Sequence, residues 1–328
     1  MSTVTTSRGA SGAGGEIRSG VPRDPKDPRN KKGLAKLLWR MRREWTAYLF
    51  LSPGLLLFSI FTVFALCFSF YLTFHEWNII EPDKPFVGLE NYRDMLDDES
   101  FRRAVVNTIY FTAASVPLTM SIGLGIALLL NRPIRARGLF RTLYFLPVVT
   151  PFVVVSIIWK WLYNVDHGLF NYYLLKTQLI DDPLLWLSSQ NLAMPAVILM
   201  SVWSGVGFSM VVYLAGLQSV PQELYEAAEV DGAGAFNRLR YITIPMLRPT
   251  TLFLLVIGII GSFQIFTQIF IMTRGGPVER TTTMVYFIYE SAFIFYQMGY
   301  ASTLAYALTV MLLGFTILQI RLYRRADA

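Results

Sequence analysis

Two apolar runs of this 328-residue chain carry neutral polar residues where hydrocarbon alone would serve. The run over 249–273 holds Gly258, Gly261, Ser262, Gln264 and Gln268. Gly261, Gln264, Ile265 and Gln268 recur at i, i+3, i+4 and i+7, the spacing of one helix face. The run over 192–217 holds Ser201, Trp203, Ser204, Gly205, Gly207, Phe208 and Ser209. Amides and hydroxyls donate and accept hydrogen bonds without charge, and rings such as Trp203 and Phe208 can stack on the apolar face of a pyranose. Such a set suits a sugar better than a charged solute. Small and amide residues also pack membrane helices against one another, so both readings stay open at this point.

The missing residue types narrow the chemistry further. No Asp, Glu, Lys, Arg or His falls within 48–74, 104–130, 192–217, 249–273 or 298–320. A proton- or sodium-driven carrier keeps an ionisable group inside the bilayer to load and release its cation. A cation-coupled secondary transporter is therefore the disfavoured alternative, and a membrane scaffold would need no polar face on a span. There is no recognisable acid pair, Ser–His or metal-ligand pattern, and His75 and His167 lie far apart. A Gly-x-x-x-x-Gly-Lys-[Ser/Thr] phosphate loop is absent as well. The expectation is a chain that is no enzyme and holds no cofactor of its own.

The elements that must position these groups are membrane helices. Hydrophobic residues make up 54% and charged residues 16% of the chain, against about 25% charged in soluble domains. Apolar runs over about 48–74, 104–130, 142–162, 192–217, 249–273 and 298–320 each reach roughly the twenty residues a span requires. The spacing predicts an all-α, polytopic membrane protein with six transmembrane helices. The net charge of +7 comes from basic residues beside the spans, which argues for membrane topology and against a nucleic-acid partner. Arg132, Arg135, Arg137 and Arg141 follow the second run, and Arg321, Arg324 and Arg325 follow the sixth. By the positive-inside rule both termini face the cytoplasm and residues 75–103 face outside. Residues 1–46 read as a disordered basic cytoplasmic tail in which Leu34, Leu37, Leu38, Met41 and Trp45 could lie on lipid as an interfacial helix. Residues 47–325 form the membrane domain, and Lys160 can snorkel at the outer end of the third span.

One polar island, 218–248, interrupts the apolar second half. Ser219 and Gln222 fit a capping box, and Leu224, Ala227 and Ala228 give a short helix one apolar face, with Glu223 and Glu226 pointing elsewhere. Asp231-Gly232 breaks that helix; Phe236 and Leu239 begin a second, which Pro245 is expected to end. The string Glu226-Ala227-Ala228, Gly232, Ile242, Ile244 and Pro245 resembles the "EAA" loop of ABC importer permeases, with Ile244 in place of the usual Leu. Tyr225 to Ala233 is similar to the carbohydrate-uptake, maltose-type branch of these binding-protein-dependent permeases, and the likeness extends over about 48–325.

That resemblance implies a type I ABC importer transmembrane domain, a permease subunit of an ATP-driven sugar importer in the cell membrane of a prokaryote. It implies that Glu226, Ala227, Ala228, Asp231, Gly232 and Pro245 couple to an ATPase. It places Ser204, Gly205, Phe208, Gly258, Gly261, Ser262 and Ile265 at or near substrate-lining positions, beside Gln264 and Gln268 read from spacing. The implied partners are a second permease, two ATPase subunits that hold the ATP and Mg, an extracytoplasmic sugar-binding protein, the sugar, and membrane lipid. The C-terminal stretch lacks the small-residue tail of second-type permeases, which suggests the first-type member of a heterodimer.

Overall fold

The computed structural model describes residues 45–326. Residues 1–44 of the expected tail, with the expected interfacial helix but for Trp45, lie outside the described residues. The chain separates into two compact units, one ending at Ala65 and one from Leu66 onward. In the first, helix α1 (Trp45–Phe58) continues into a π-helical turn over Ser59–Phe64. Phe50, Leu56 and Phe61 are among the exposed apolar side chains of this stretch, as a lipid-facing helix requires.

The second unit is helical, and its described residues include two isolated β-bridges but no named strand. Its helices are α2 (Ala65–Leu72), α3 (Glu90–Asp97), α4 (Glu99–Leu130), α5 (Arg137–Val149), α6 (Phe152–Leu162), α7 (Leu169–Lys176) and α8 (Ala193–Gln218). They continue with α9 (Gln222–Val230), α10 (Ala235–Arg238), α11 (Ile244–Met246), α12 (Arg248–Phe263), α13 (Thr267–Met272), α14 (Met284–Tyr289) and α15 (Met298–Ala326). Five helical stretches are long and apolar enough to cross a bilayer: Thr46–Leu72, Glu99–Leu130, Ala193–Gln218, Arg248–Met272 and Met298–Tyr323. The chain is a multi-pass membrane protein.

The third expected span is not one straight helix. α5 and α6 meet at 98°, and only taken together do they pass as a sixth span. Thr150 precedes Pro151, whose ring disfavours helical geometry in the residue before it. Thr150 accordingly sits in extended backbone, with ψ at 130°. The fifth span is broken too. α12 ends at Phe263, Phe266 is non-helical, and α13 restarts at Thr267.

α8 is the central post. Fifteen of its residues are buried, and α4, α5 and α12 pack along it. Glycine sets the closest approaches. A Cβ on Gly123 of α4 would stand 2.6 Å from the Ser209 Cβ, and one on Gly207 would collide with the Tyr144 carbonyl of α5. Small residues let helices approach in a solvent where burial from lipid supplies no hydrophobic drive.

Substituting Gly207→Val should therefore lower the thermal midpoint of the detergent-solubilised protein, since overpacking costs about 1–3 kcal/mol. Gly125→Val, where nothing lies within 4 Å, should leave it unchanged. Equal midpoints in both would contradict the packing assigned to α5 and α8.

Candidate functional site

A cavity of about 220 Å³ opens between α4, α8 and the two halves of the fifth span. Of the residues expected on the substrate pathway, Gly205 and Phe208 of α8, Gly258, Gly261 and Ser262 of α12, and Ile265 and Gln268 line it. Ser204 and Gln264 are not among its lining residues: Ser204 is buried on another side of α8, and Gln264 is exposed at the C-terminal end of α12. The expected single face of Gly261, Gln264, Ile265 and Gln268 is dissolved by the helix break between Gln264 and Thr267. Trp203 stands against the Trp159 ring at 5.5 Å and does not line the cavity.

Several lining residues were not singled out from the sequence. α4 contributes Phe111, Ser115 and Thr119, and α6 contributes Phe152. Ser115 and Thr119 are four residues apart in the second apolar run, a helical spacing that was available to find them.

Each wall has a distinct chemistry. The Ser262 hydroxyl is hydrogen-bonded to the Thr112 hydroxyl at 2.9 Å and to the Ile259 carbonyl at 3.0 Å, tying α12 to α4. It is a wall strut whose proton is committed within the protein, so toward a ligand it can only accept. A Cβ on Gly205 would press on Thr119 at 3.2 Å and one on Gly258 on Val116 at 3.1 Å, whereas one on Gly261 meets nothing within 4 Å. Gly261 thus opens onto free space. Backbone freed by the break has protein partners: the Thr283 hydroxyl donates to the Ile265 carbonyl at 3.1 Å. The next residue's backbone N–H, Met284, donates to the Thr108 hydroxyl at 3.0 Å. Lys160, the snorkelling candidate, donates from Nζ to the Ile271 carbonyl at 3.1 Å, near the C-terminal end of α13 where a cation is favoured.

The 218–248 island is a separate surface. Ser219 does not cap α9; its hydroxyl donates to the Gly216 carbonyl at 2.8 Å, so it serves the orphan carbonyls of α8 instead. Gln222 is the first residue of α9 and its amide donates to Glu226 Oε1 at 2.8 Å. The end of α9 is a Schellman motif: the Ala233 N–H donates to the Ala228 carbonyl at 2.8 Å and the Gly232 N–H to the Glu229 carbonyl at 3.0 Å. Gly232 has φ +77°, the left-handed conformation that a Cβ disfavours.

Pro245 does not end the second helix. A π-helical turn over Leu239–Thr243 shifts the hydrogen-bond ladder, the Ile244 N–H donating to the Leu239 carbonyl, and the chain stays helical through Met246 around the missing proline N–H. Arg238 donates to Glu229 at 3.0 Å, and the Tyr225 and Thr243 hydroxyls lie 2.9 Å apart, so the two arms form one unit. That unit exposes Val230 at 89%, Phe236 at 71% and Tyr241 at 70%, beside the exposed carboxylates of Glu223, Glu226 and Asp231. Exposed large apolar side chains beside charge form a surface of the kind found at sites of protein or membrane interaction.

Comparison with known proteins gives the chain's family and fold. A solved chain from a bacterial ABC transporter that imports alginate shares this fold, with a TM-score of 0.76 and 24% identity, covering 88% of this chain and 99% of that one. The trehalose/maltose transport system permease protein MalF of Thermococcus litoralis is 33% identical over 288 residues, covering 87% of this chain and 96% of the relative. The lactose transport system permease protein LacF of Rhizobium radiobacter is 34% identical over 276 residues, covering 83% and 92%. Residues 119–327 match the family model for the inner membrane component of binding-protein-dependent transport systems. The stretch holds both the cavity's α8, α12 and α13 walls and the 218–248 knob, and the chain belongs to that family: it is a transport component, not an enzyme.

Proposed function

We propose that this chain is a permease subunit of an ATP-driven sugar importer, forming half of the translocation path and coupling it to ATPase subunits. The observation that carries the reading is the join between its two surfaces. The knob at 218–248 is the direct covalent link between α8 and α12, the two helices whose facing sides make the cavity. A partner that displaces the knob moves both walls.

Sugar as the solute is supported by the cavity's lining, which has hydroxyls, an amide and aromatic rings and no charged side chain. The relatives named for trehalose/maltose and lactose transport point the same way. At about 220 Å³ the cavity falls below the roughly 300–1,000 Å³ of ligand sites. It is the share of one subunit, completed by a second permease. Two ATPase subunits supply ATP and Mg and meet the knob; an extracytoplasmic binding protein delivers the sugar to the opposite face. The arginines at 132–141 and 321–325 support a cytoplasmic side for both termini, and the knob follows by parity of the spans.

Filling the cavity tests the path. Gly261→Leu should abolish sugar uptake in cells while the complex assembles and its basal ATPase persists, because the new side chain enters free space. Gly261→Ala should retain most of the uptake. Normal uptake with leucine would remove this cavity from the pathway.

The knob has its own test. Breaking a partly buried charge pair from one side costs about 3–5 kcal/mol, on the order of a hundredfold or more in affinity, against about 0–1 kcal/mol for an exposed pair. Glu226→Ala should release the ATPase on co-purification, and Glu223→Ala should do so less. Gly232→Val, which forces a β-branched residue into the left-handed region, should misplace Val230 and lower coupled ATPase activity by disordering the Schellman end. Full retention of the ATPase and of transport in all three would identify the knob as an ordinary solvated loop.

A further inference from the structure

The second permease surface with unmet chemistry lies at the start of α5. Arg137 and Arg141 stand one helical turn apart, at i and i+4, and so share a face. In each, both Nε and Nη2 are buried and find no hydrogen-bond partner among the described residues. Those two nitrogens form one side edge of the guanidinium, the fork that grips carboxylate or phosphate oxygens bidentately. A buried fork without an acceptor costs the desolvation of a charged donor. Two such forks, aligned on one helix face, define a place for an anion with several oxygens.

Three further features agree. Ala136 precedes α5 and offers it no side-chain cap, so its first-turn N–H groups and the positive end of its dipole face the same region, where a cation is disfavoured unless an anion accompanies it. No Asp or Glu occurs anywhere from 100 to 165, so the neighbouring sequence offers no carboxylate. Between the two arginines and just beyond them, Leu139, Phe140, Leu143 and Leu146 are exposed and apolar. The forks thus sit where α5 passes from polar loop to a helix with an exposed apolar face.

We propose that Arg137 and Arg141 form a phosphate site occupied by the headgroup of an anionic phospholipid, anchoring the start of the bent α5–α6 span. The site is independent of the transported solute. Arg132 and Arg135, in the exposed loop before it, add attraction without the forked geometry.

The full-length protein, purified in detergent and stripped of lipid, is titrated with phosphatidylglycerol, phosphatidylcholine or inorganic phosphate, and bound ligand is counted by native mass spectrometry. Phosphatidylglycerol should bind at one per chain and more tightly than phosphatidylcholine. Arg137→Gln with Arg141→Gln should weaken it by about tenfold or more, and Arg132→Gln with Arg135→Gln by less than about threefold. Arg137→Lys with Arg141→Lys keeps the charge but loses the forks, and should still weaken binding by about threefold or more. Inorganic phosphate that binds with the same dependence on Arg137 and Arg141, with no lipid retained, would keep the phosphate site but assign it to a soluble anion. Equal phosphatidylglycerol binding in the wild type and in both paired variants of Arg137 and Arg141 would overturn the proposal.

Discussion

Hydrocarbon offers no hydrogen bond, so every backbone group inside the membrane must find its partner within the protein. That constraint shapes the site more than any single side chain. The fifth span breaks between Gln264 and Thr267, and the break is tolerated because the Thr283 hydroxyl reaches the Ile265 carbonyl. The adjacent strut, Met284 N–H to Thr108, fastens the same 281–284 segment to α4. Loop, break and second span are thereby one rigid assembly, and Ile265 and Gln268 are turned into the cavity by it.

Close packing then decides what can move. α4, α5 and α12 approach α8 where glycine or serine removes bulk, as at Gly123 against Ser209 and Gly207 against Tyr144. Packed interfaces of this kind slide or rock as units and do not deform continuously. The knob is tied across its two arms by Arg238–Glu229 and Tyr225–Thr243. A push on α9 therefore reaches α8 at Gln218 and α12 at Arg248 together, which is what alternating exposure of a site between those helices requires.

Much of this was legible in the sequence. The apolar runs located the five long helices and the bent α5–α6 pair, and the turn chemistry of Asp231-Gly232 marked the end of α9 because only a residue without Cβ takes φ +77° at ease. The bend in the third span was written as Thr150-Pro151, a signal present but not weighed. The break at Gln264–Phe266 had no such mark: no proline or glycine lies between Gln264 and Thr267, and the partner that stabilises it, Thr283, is 18 residues away. Periodicity therefore grouped Gln264 with Gly261, Ile265 and Gln268, although only the other three line the cavity. Ser219 misled for a different reason: it stands between two helices, and its hydroxyl can serve either the carbonyls behind it or the N–H groups ahead.

The central claim is that energy enters through the knob and not through an ion held in the spans. Uptake of labelled sugar into proteoliposomes containing the complete complex, with binding protein supplied on the substrate side, measures it most directly. Uptake should require ATP on the face that carries 218–248 and should be unaffected by collapsing proton and sodium gradients. Accumulation driven by either gradient in the absence of ATP would contradict the account.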